Sequence, residues 1–183
     1  MIMLKSQTLT FRAAIPSDAE SVAELIESAY RGPGSRTGWT TEADLLDGQR
    51  TDVDAVLAAL HREGVWLLVA EAPDGALVGC CQLERRSSHT AYFGSFAVSP
   101  GLQSNGLGRR LLTAAEEHAR TVWEASAVEM TVIAQRPELI AWYERRGYVL
   151  TGETRPFPYD DERAGLPRRP DLHFVVMAKS LSG

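Results

Sequence analysis

Cysteine is almost missing from this chain: two residues in 183, Cys80 and Cys81, side by side. Adjacent cysteines do not readily bridge each other, so they read as small core residues of a reduced, cytoplasmic protein. Metal-ligand patterns are missing too. There is no CxxC and no HExxH, and the four histidines do not cluster, so no metal is expected. Positive charge is in short supply, with 19 Lys and Arg against 24 Asp and Glu and a net charge of −5. That balance argues against nucleic acid as the main partner, because phosphate binding relies on a basic footprint. No apolar run reaches membrane-spanning length, and MIMLKSQTLTFR at the start lacks the apolar stretch of a signal peptide. No membrane partner is expected. What is there is ordinary globular composition, 44% hydrophobic and 23% charged, on a length that suits one domain, expected over residues 8–181.

Periodicity then orders the elements. Thr8 to Ala13 reads as a first strand. Pro16 leads into SDAESVAELIESAY, where Ser17 and Glu20 have capping-box spacing and Val22, Leu25, Ile26 and Ala29 share a helical face. After the breaker-rich RGPGSRTGW, a second helix is predicted from near Thr51 to Gly64, with Val53, Val56, Leu57 and Leu60 inward. VWLLVAEA, the turn signal PDG and ALVGCCQLE form the clearest hairpin. A strand over 91–98, a helix from Leu107, a strand over 128–133, a helix from Pro137 to just before Gly147, and strands over 148–155 and 172–179 complete the series. The proline-rich PFPYDDERAGLPRRP between the last two strands reads as a long excursion. The order implies a mixed α/β domain.

SPGLQSNGLGRRLL, Ser99 to Leu112, sets three glycines directly before a helix. A Walker loop requires Lys-Ser/Thr after its last glycine, and Arg109–Arg110 stand there instead. A dinucleotide fingerprint requires a third glycine at position 111, which is Leu. What remains is Gln103-x-x-Gly106-x-Gly108. Glycine admits close approach to the backbone, the first helical turn offers unpaired N–H groups, and the macrodipole with Arg109 and Arg110 favours an anion. The loop is a plausible pyrophosphate seat.

Downstream lies AQRPELIAWYERRGYVLTGE. Val98-Ser99-Pro100 followed by Gln103 to Gly108, and then Tyr143-Glu144-Arg145-Arg146-Gly147-Tyr148, together resemble the two signature motifs of the GNAT superfamily of acyl-CoA-dependent N-acetyltransferases. The resemblance spans about residues 91–155. It implies a twisted mixed sheet of six or seven strands flanked by about four helices, splayed between the strands at 91–98 and 128–133. It further implies acetyl-CoA as cosubstrate. The pyrophosphate would lie on the loop Gln103, Ser104, Asn105, Gly106, Leu107, Gly108 and Arg109, and the pantetheine arm would pair with Phe96, Ala97 and Val98. Tyr143 occupies the slot of the family's general acid, which protonates the departing thiolate. Arg136 falls at a cofactor position where relatives often carry asparagine. The strand before the loop, AYFGSFAV, has no carboxylate, so Glu84 is the nearest candidate base, ahead of His89, with a water relay as the alternative. A homodimer is a frequent assembly among relatives.

In such proteins the acceptor is a small-molecule or peptide amine, bound by segments that correspond here to Tyr30–Arg50 and Pro156–Pro170. Six acidic residues and two arginines between Glu42 and Glu63 suit a cationic acceptor. Arg31, Arg36 and Arg155 suit a carboxylate, and Tyr30 and Trp39 are candidate walls. The two signals oppose each other, so the acceptor stays open. Two further functions compete with an active acetyltransferase: a CoA-binding regulatory module without turnover, and a domain that binds another phosphorylated ligand.

Overall fold

The computed structural model describes residues 8–31, 41–103 and 105–182. The candidates Arg36, Trp39 and Ser104 lie outside the described residues.

Strand β1 (Thr10–Ala13) opens the chain and helix α1 (Ala19–Tyr30) follows. The expected capping box of Ser17 and Glu20 is replaced by a single 3-10 turn over Pro16–Asp18. There Asp18 accepts the Ile15 N–H at 2.8 Å and pairs with Arg12 at 2.7 Å, which tethers the start of α1 to β1. After the short β2 (Leu46–Asp47), α2 (Val53–His61) begins on Asp52, whose side chain accepts from the Ala55 N–H. Val56 is the buried residue of α2, and Val53, expected inward, is exposed because it sits on the first turn of a helix that touches the sheet on one side only.

The predicted hairpin forms as β3 (Val65–Glu71) and β4 (Leu77–Arg85), followed by β5 (Thr90–Val98), α3 (Leu107–Thr121), β6 (Ala127–Ile133) and α4 (Pro137–Glu144). Strand β7 (Val149–Pro156) leads to the proline-rich excursion, whose β8 (Leu166–Pro167) pairs with β2, and β9 (His173–Ser180) ends the fold. Seven strands make one sheet in the order β1-β3-β4-β5-β6-β9-β7. All neighbours are antiparallel except β5 and β6.

Alternation along the strands divides the core between two faces. Leu67, Val69, Cys80 and Ala97 pack under α1 and α2. Leu68, Ala70, Cys81 and Leu83 pack with Leu107, Leu111, Leu112 and Ala115 of α3 and with Leu139 and Tyr143 of α4. The adjacent cysteines thus face opposite layers, and both thiols are free and buried. Gly79 of β4 lets α3 settle against the sheet, because a Cβ there would stand 2.7 Å from the Leu111 Cδ1. Among the described residues no helix is long and apolar enough to cross a membrane.

Two irregularities in β5 create the site. Its pairing with β4 runs Gln82 to Gly94 and then Cys80 to Ala97, so β5 carries one extra residue, and Ser95 adopts φ +46°. Strict alternation would set Phe93 and Phe96 on opposite faces; the bulge turns both rings toward α3 and α4. The pairing of β5 with β6 stops after Thr90, Ala91 and Tyr92. Beyond Tyr92 the two parallel strands part, as the splay expected at this point requires.

Candidate active site

One space opens between the parted strands and another beside the loop before α3, and α4 contributes to both. Successive residues of a helix point about 100° apart, so Trp142 lines one space and Tyr143 the other. The Phe96 ring lies between them, 5.7 Å from the Trp142 ring, and Trp142 and Tyr143 meet edge to face at 5.1 Å.

The first space, about 450 Å³, lies at the start of α3 and is lined by Gln103, Gly106, Gly108, Arg109, Glu138, Trp142, Arg145 and Arg146. Gly106 caps the helix at φ +74°, a left-handed conformation that glycine adopts without steric cost. A Cβ placed on it would meet no protein atom within 4 Å, so the backbone there is open to a ligand. Three guanidiniums converge on this end. The Arg146 guanidinium stacks 3.5 Å over the Trp142 ring and donates to the Trp142 carbonyl at 2.7 Å, while its Nε is buried without a protein partner. Burial, then the nearby Arg145 and Arg109, lower its pKa. Among the described lining residues three guanidiniums stand against the one carboxylate of Glu138, and that excess of positive charge suits a polyanion. These groups fit the pyrophosphate of acetyl-CoA.

Each loop residue takes its own part. Gln103, expected to touch the cofactor, is buried and donates from Nε2 to the Val98 carbonyl at 3.0 Å, so it also ties the loop back onto β5. Leu107 is buried against the sheet, and Asn105 bonds through its backbone N–H to the Leu102 carbonyl. Arg110 turns away, 4.8 Å over the Phe11 ring, and adds nothing to the anion site. The sequence reading gives Arg145 and Arg146 no site role, yet both line this space. Their place just past the end of α4, two and three residues after the helix tyrosine, is the available signal.

The second space, about 320 Å³, is lined by the bulge of β5, by Met130 to Ile133 of β6, and by Tyr30, Glu42, Arg50, Gln82, Arg136 and Tyr143. Tyr143 is 5% exposed, and burial raises its pKa well above the ordinary tyrosine value. It therefore stays a proton donor across the physiological range. Tyr30 donates its hydroxyl to the Phe96 carbonyl, and burial pushes its pKa up to about 12. Tyr92 and Thr131 share a hydrogen bond of 2.6 Å between their hydroxyls, across the point where β5 and β6 part.

Glu42 organises the charges. It is buried, and its carboxylate meets Arg31 at 3.1 Å, Arg136 at 3.5 Å and Arg50 at 3.7 Å. Arg31 also donates to the Asp47 and Gly48 carbonyls, so it is an internal brace and not a ligand reader. Arg136, expected on the cofactor, lines this space, with its guanidinium 5.9 Å from the Tyr30 ring centre. Arg155 pairs with Glu129 and Glu153, each at 2.9 Å, and Glu84 with Arg62 at 2.9 Å and Arg86 at 3.7 Å. Neither Arg155 nor Glu84 is among the residues that line the cavity. Arg50 and Glu42 were not singled out as site residues in the sequence, because both sit in a stretch that reads as an acidic surface.

Known proteins resemble this chain in sequence and in fold. A curated relative, the S-(2-succino)cysteine N-acetyltransferase of Bacillus subtilis (strain 168), is 31% identical over 150 residues, covering 78% of this chain and 86% of its own. The spermidine N-acetyltransferase of Vibrio cholerae, solved with CoA and spermine, superposes with a TM-score of 0.69 at 19% identity, over 97% of this chain and 98% of its own. A crystal structure assigned as a phosphinothricin N-acetyltransferase gives a TM-score of 0.70 at 18% identity, over 96% and 100%. At such identities the two structures speak for the fold alone. Residues 20–148 match the profile of the acetyltransferase (GNAT) family, and the chain belongs to that family of acetyl-CoA-dependent N-acetyltransferases.

Proposed function

We propose that the protein transfers an acetyl group to the primary amine of a small molecule, with Tyr143 as the general acid. The observation that carries this reading is the position of Tyr143: a buried, protonated phenol on the wall of the cavity, one residue from the Trp142 that borders the anion seat. The curated relative is itself named for a small amine acceptor. Gly106, Gly108, Arg109, Arg145 and Arg146 would hold the pyrophosphate, and the edge of β5 beyond Tyr92, left without a strand partner, would pair with the pantetheine arm.

Acetyl-CoA supplies the thioester, whose carbonyl carbon becomes bonded to the amine nitrogen as its bond to sulfur breaks. The acceptor ammonium loses one proton to water before attack and a second as the amide forms. Tyr143 gives its proton to the departing sulfur and regains one from that second loss, so the net products are an amide, a thiol and one released proton. An alkylammonium with a pKa near ~10.4 has to lose that proton before it attacks. Glu42 is tied to three guanidiniums and Glu84 lies away from the cavity, so the route we favour is water relayed along the hydroxyls of Tyr92 and Thr131.

Tyr143→Phe tests the assignment. Removing a general acid lowers turnover by about 100-fold, while the KM for acetyl-CoA stays within about twofold because the anion seat is untouched. Full turnover in that variant would sink the role. Tight CoA binding by the native protein with no turnover on any amine would favour a regulatory module instead.

A further inference from the structure

From the charges inside the cavity we infer that the acceptor is an amine bearing a carboxylate, and that this carboxylate docks on the guanidinium of Arg50. This rests on the acetyltransferase reading and specifies its substrate class.

Among the described residues that line the cavity, the charged side chains are Arg50, Arg136 and Glu42. The one carboxylate is shared by three guanidiniums, including the buried Arg31, which leaves the pocket with an excess of positive charge. The arginines do not share it equally. Arg31 donates to Glu42 and to two backbone carbonyls, and Arg136 stands within 3.5 Å of the Glu42 Oε1. Arg50 is held off at 3.7 Å from the nearest Glu42 oxygen, and its Nε is buried with no hydrogen-bond partner. Its position is nevertheless fixed. The Glu27 side chain of α1 accepts the backbone N–H groups of Arg50 and Thr51, and the guanidinium lies 5.2 Å from the centre of the Tyr30 ring. A planar fork held in place with a donor unused is the complement of a carboxylate. Because Tyr143 lines the same cavity, a ligand anchored at Arg50 keeps its amine on the side where the strands part.

The same charges disfavour a polyamine. A second ammonium would need a carboxylate to meet it, and Glu42 is already neutralised by its arginines. Of the six acidic residues from Glu42 to Glu63 that suggested a cationic acceptor, Glu42 lines the cavity and is held by its arginines, whereas Asp52 caps α2 and neither it nor Asp54 is among the lining residues.

Acetyl transfer is to be measured on matched amines: S-carboxymethyl-cysteine and several other amino acids, the amide of each, and spermidine. The native enzyme should favour each acid over its amide by at least about tenfold in kcat/KM. Arg50→Gln should raise the KM for the acids by about 10- to 100-fold, the value of a charged hydrogen-bonded pair, and cut the acid-over-amide preference in kcat/KM by a similar factor. Arg50→Lys should recover part of the loss. A variant that merely loosens the fold would depress acids and amides alike, and that result overturns the proposal, as does a preference for amides or spermidine. Bound acetyl-CoA with no turnover on any amine would fail the acetyltransferase reading first, whereas turnover with no distinction between acid and amide fails this inference alone.

Discussion

Glu42 shows how a single residue can determine a site without being its reagent. Buried ionic groups are costly to desolvate, and here one carboxylate offsets three guanidiniums, of which Arg31 and Arg136 are almost wholly enclosed. Removing its charge strands the arginines. Glu42→Gln should therefore destabilise the protein by about 3 kcal/mol, read as a lower urea midpoint at an unchanged m-value. Arg155→Ala is the contrasting case. Its partners Glu129 and Glu153 are partly exposed, so the loss should stay below about 1 kcal/mol. Nothing in the sequence distinguishes these arginines. Arg136 and Glu42 stand 94 residues apart, and which arginine meets which carboxylate is decided by packing.

At the scale of elements, the contact of β4 with α3 and the loop before α3 each carry a glycine requirement, and the two separate stability from binding. Gly79→Ala sets a methyl 2.7 Å from a fully buried Leu111 and presses α3 off the sheet. It should cost about 1–3 kcal/mol while acetyl-CoA affinity changes little. Gly106→Ala meets no protein atom but forces an L-residue to φ +74° in the cradle, so stability should fall by about 1 kcal/mol and the KM for acetyl-CoA should rise markedly. Thermal melts and KM measured on both variants check the contrast; equal effects on KM would mean that the loop backbone does not hold the ligand. These elements were legible in the sequence because their signals are local: Pro137 before a helix, Gly147 after it, and alternating apolar residues in the hairpin. The bulge at Ser95 was not legible. AYFGSFAV alternates well enough as a plain strand, and the extra residue shows only when β4 is laid beside it.

For the whole molecule, the sequence composition and the buried chemistry meet in the response to alkali. Burial raises the Cys80 thiol from 9.0 to about 12 and pushes Cys81 well above 9.0, one on each face of β4. Tyr30 moves from 10.0 to about 12, and Tyr143 rises too, in both cases chiefly through burial. These groups keep their protons in the folded state and lose them in the unfolded chain once the pH passes about 9. The unfolded state then binds fewer protons than the folded one, so stability is intact below pH 9 and falls as the pH rises toward 12. Each buried thiol contributes a slope of about 1.4 kcal/mol per pH unit in that window. Urea midpoints at pH 8 and pH 10.5 should therefore differ clearly, and a Cys80→Ala/Cys81→Ala variant should lose much less between them. The same burial predicts that thiol reagents label the native protein only at the rate of its unfolding, because the thiolate is what reacts. A pH-independent midpoint, or rapid labelling of the folded protein at pH 8, would mean that the two layers on either side of β4 are far more open to water than their packing implies.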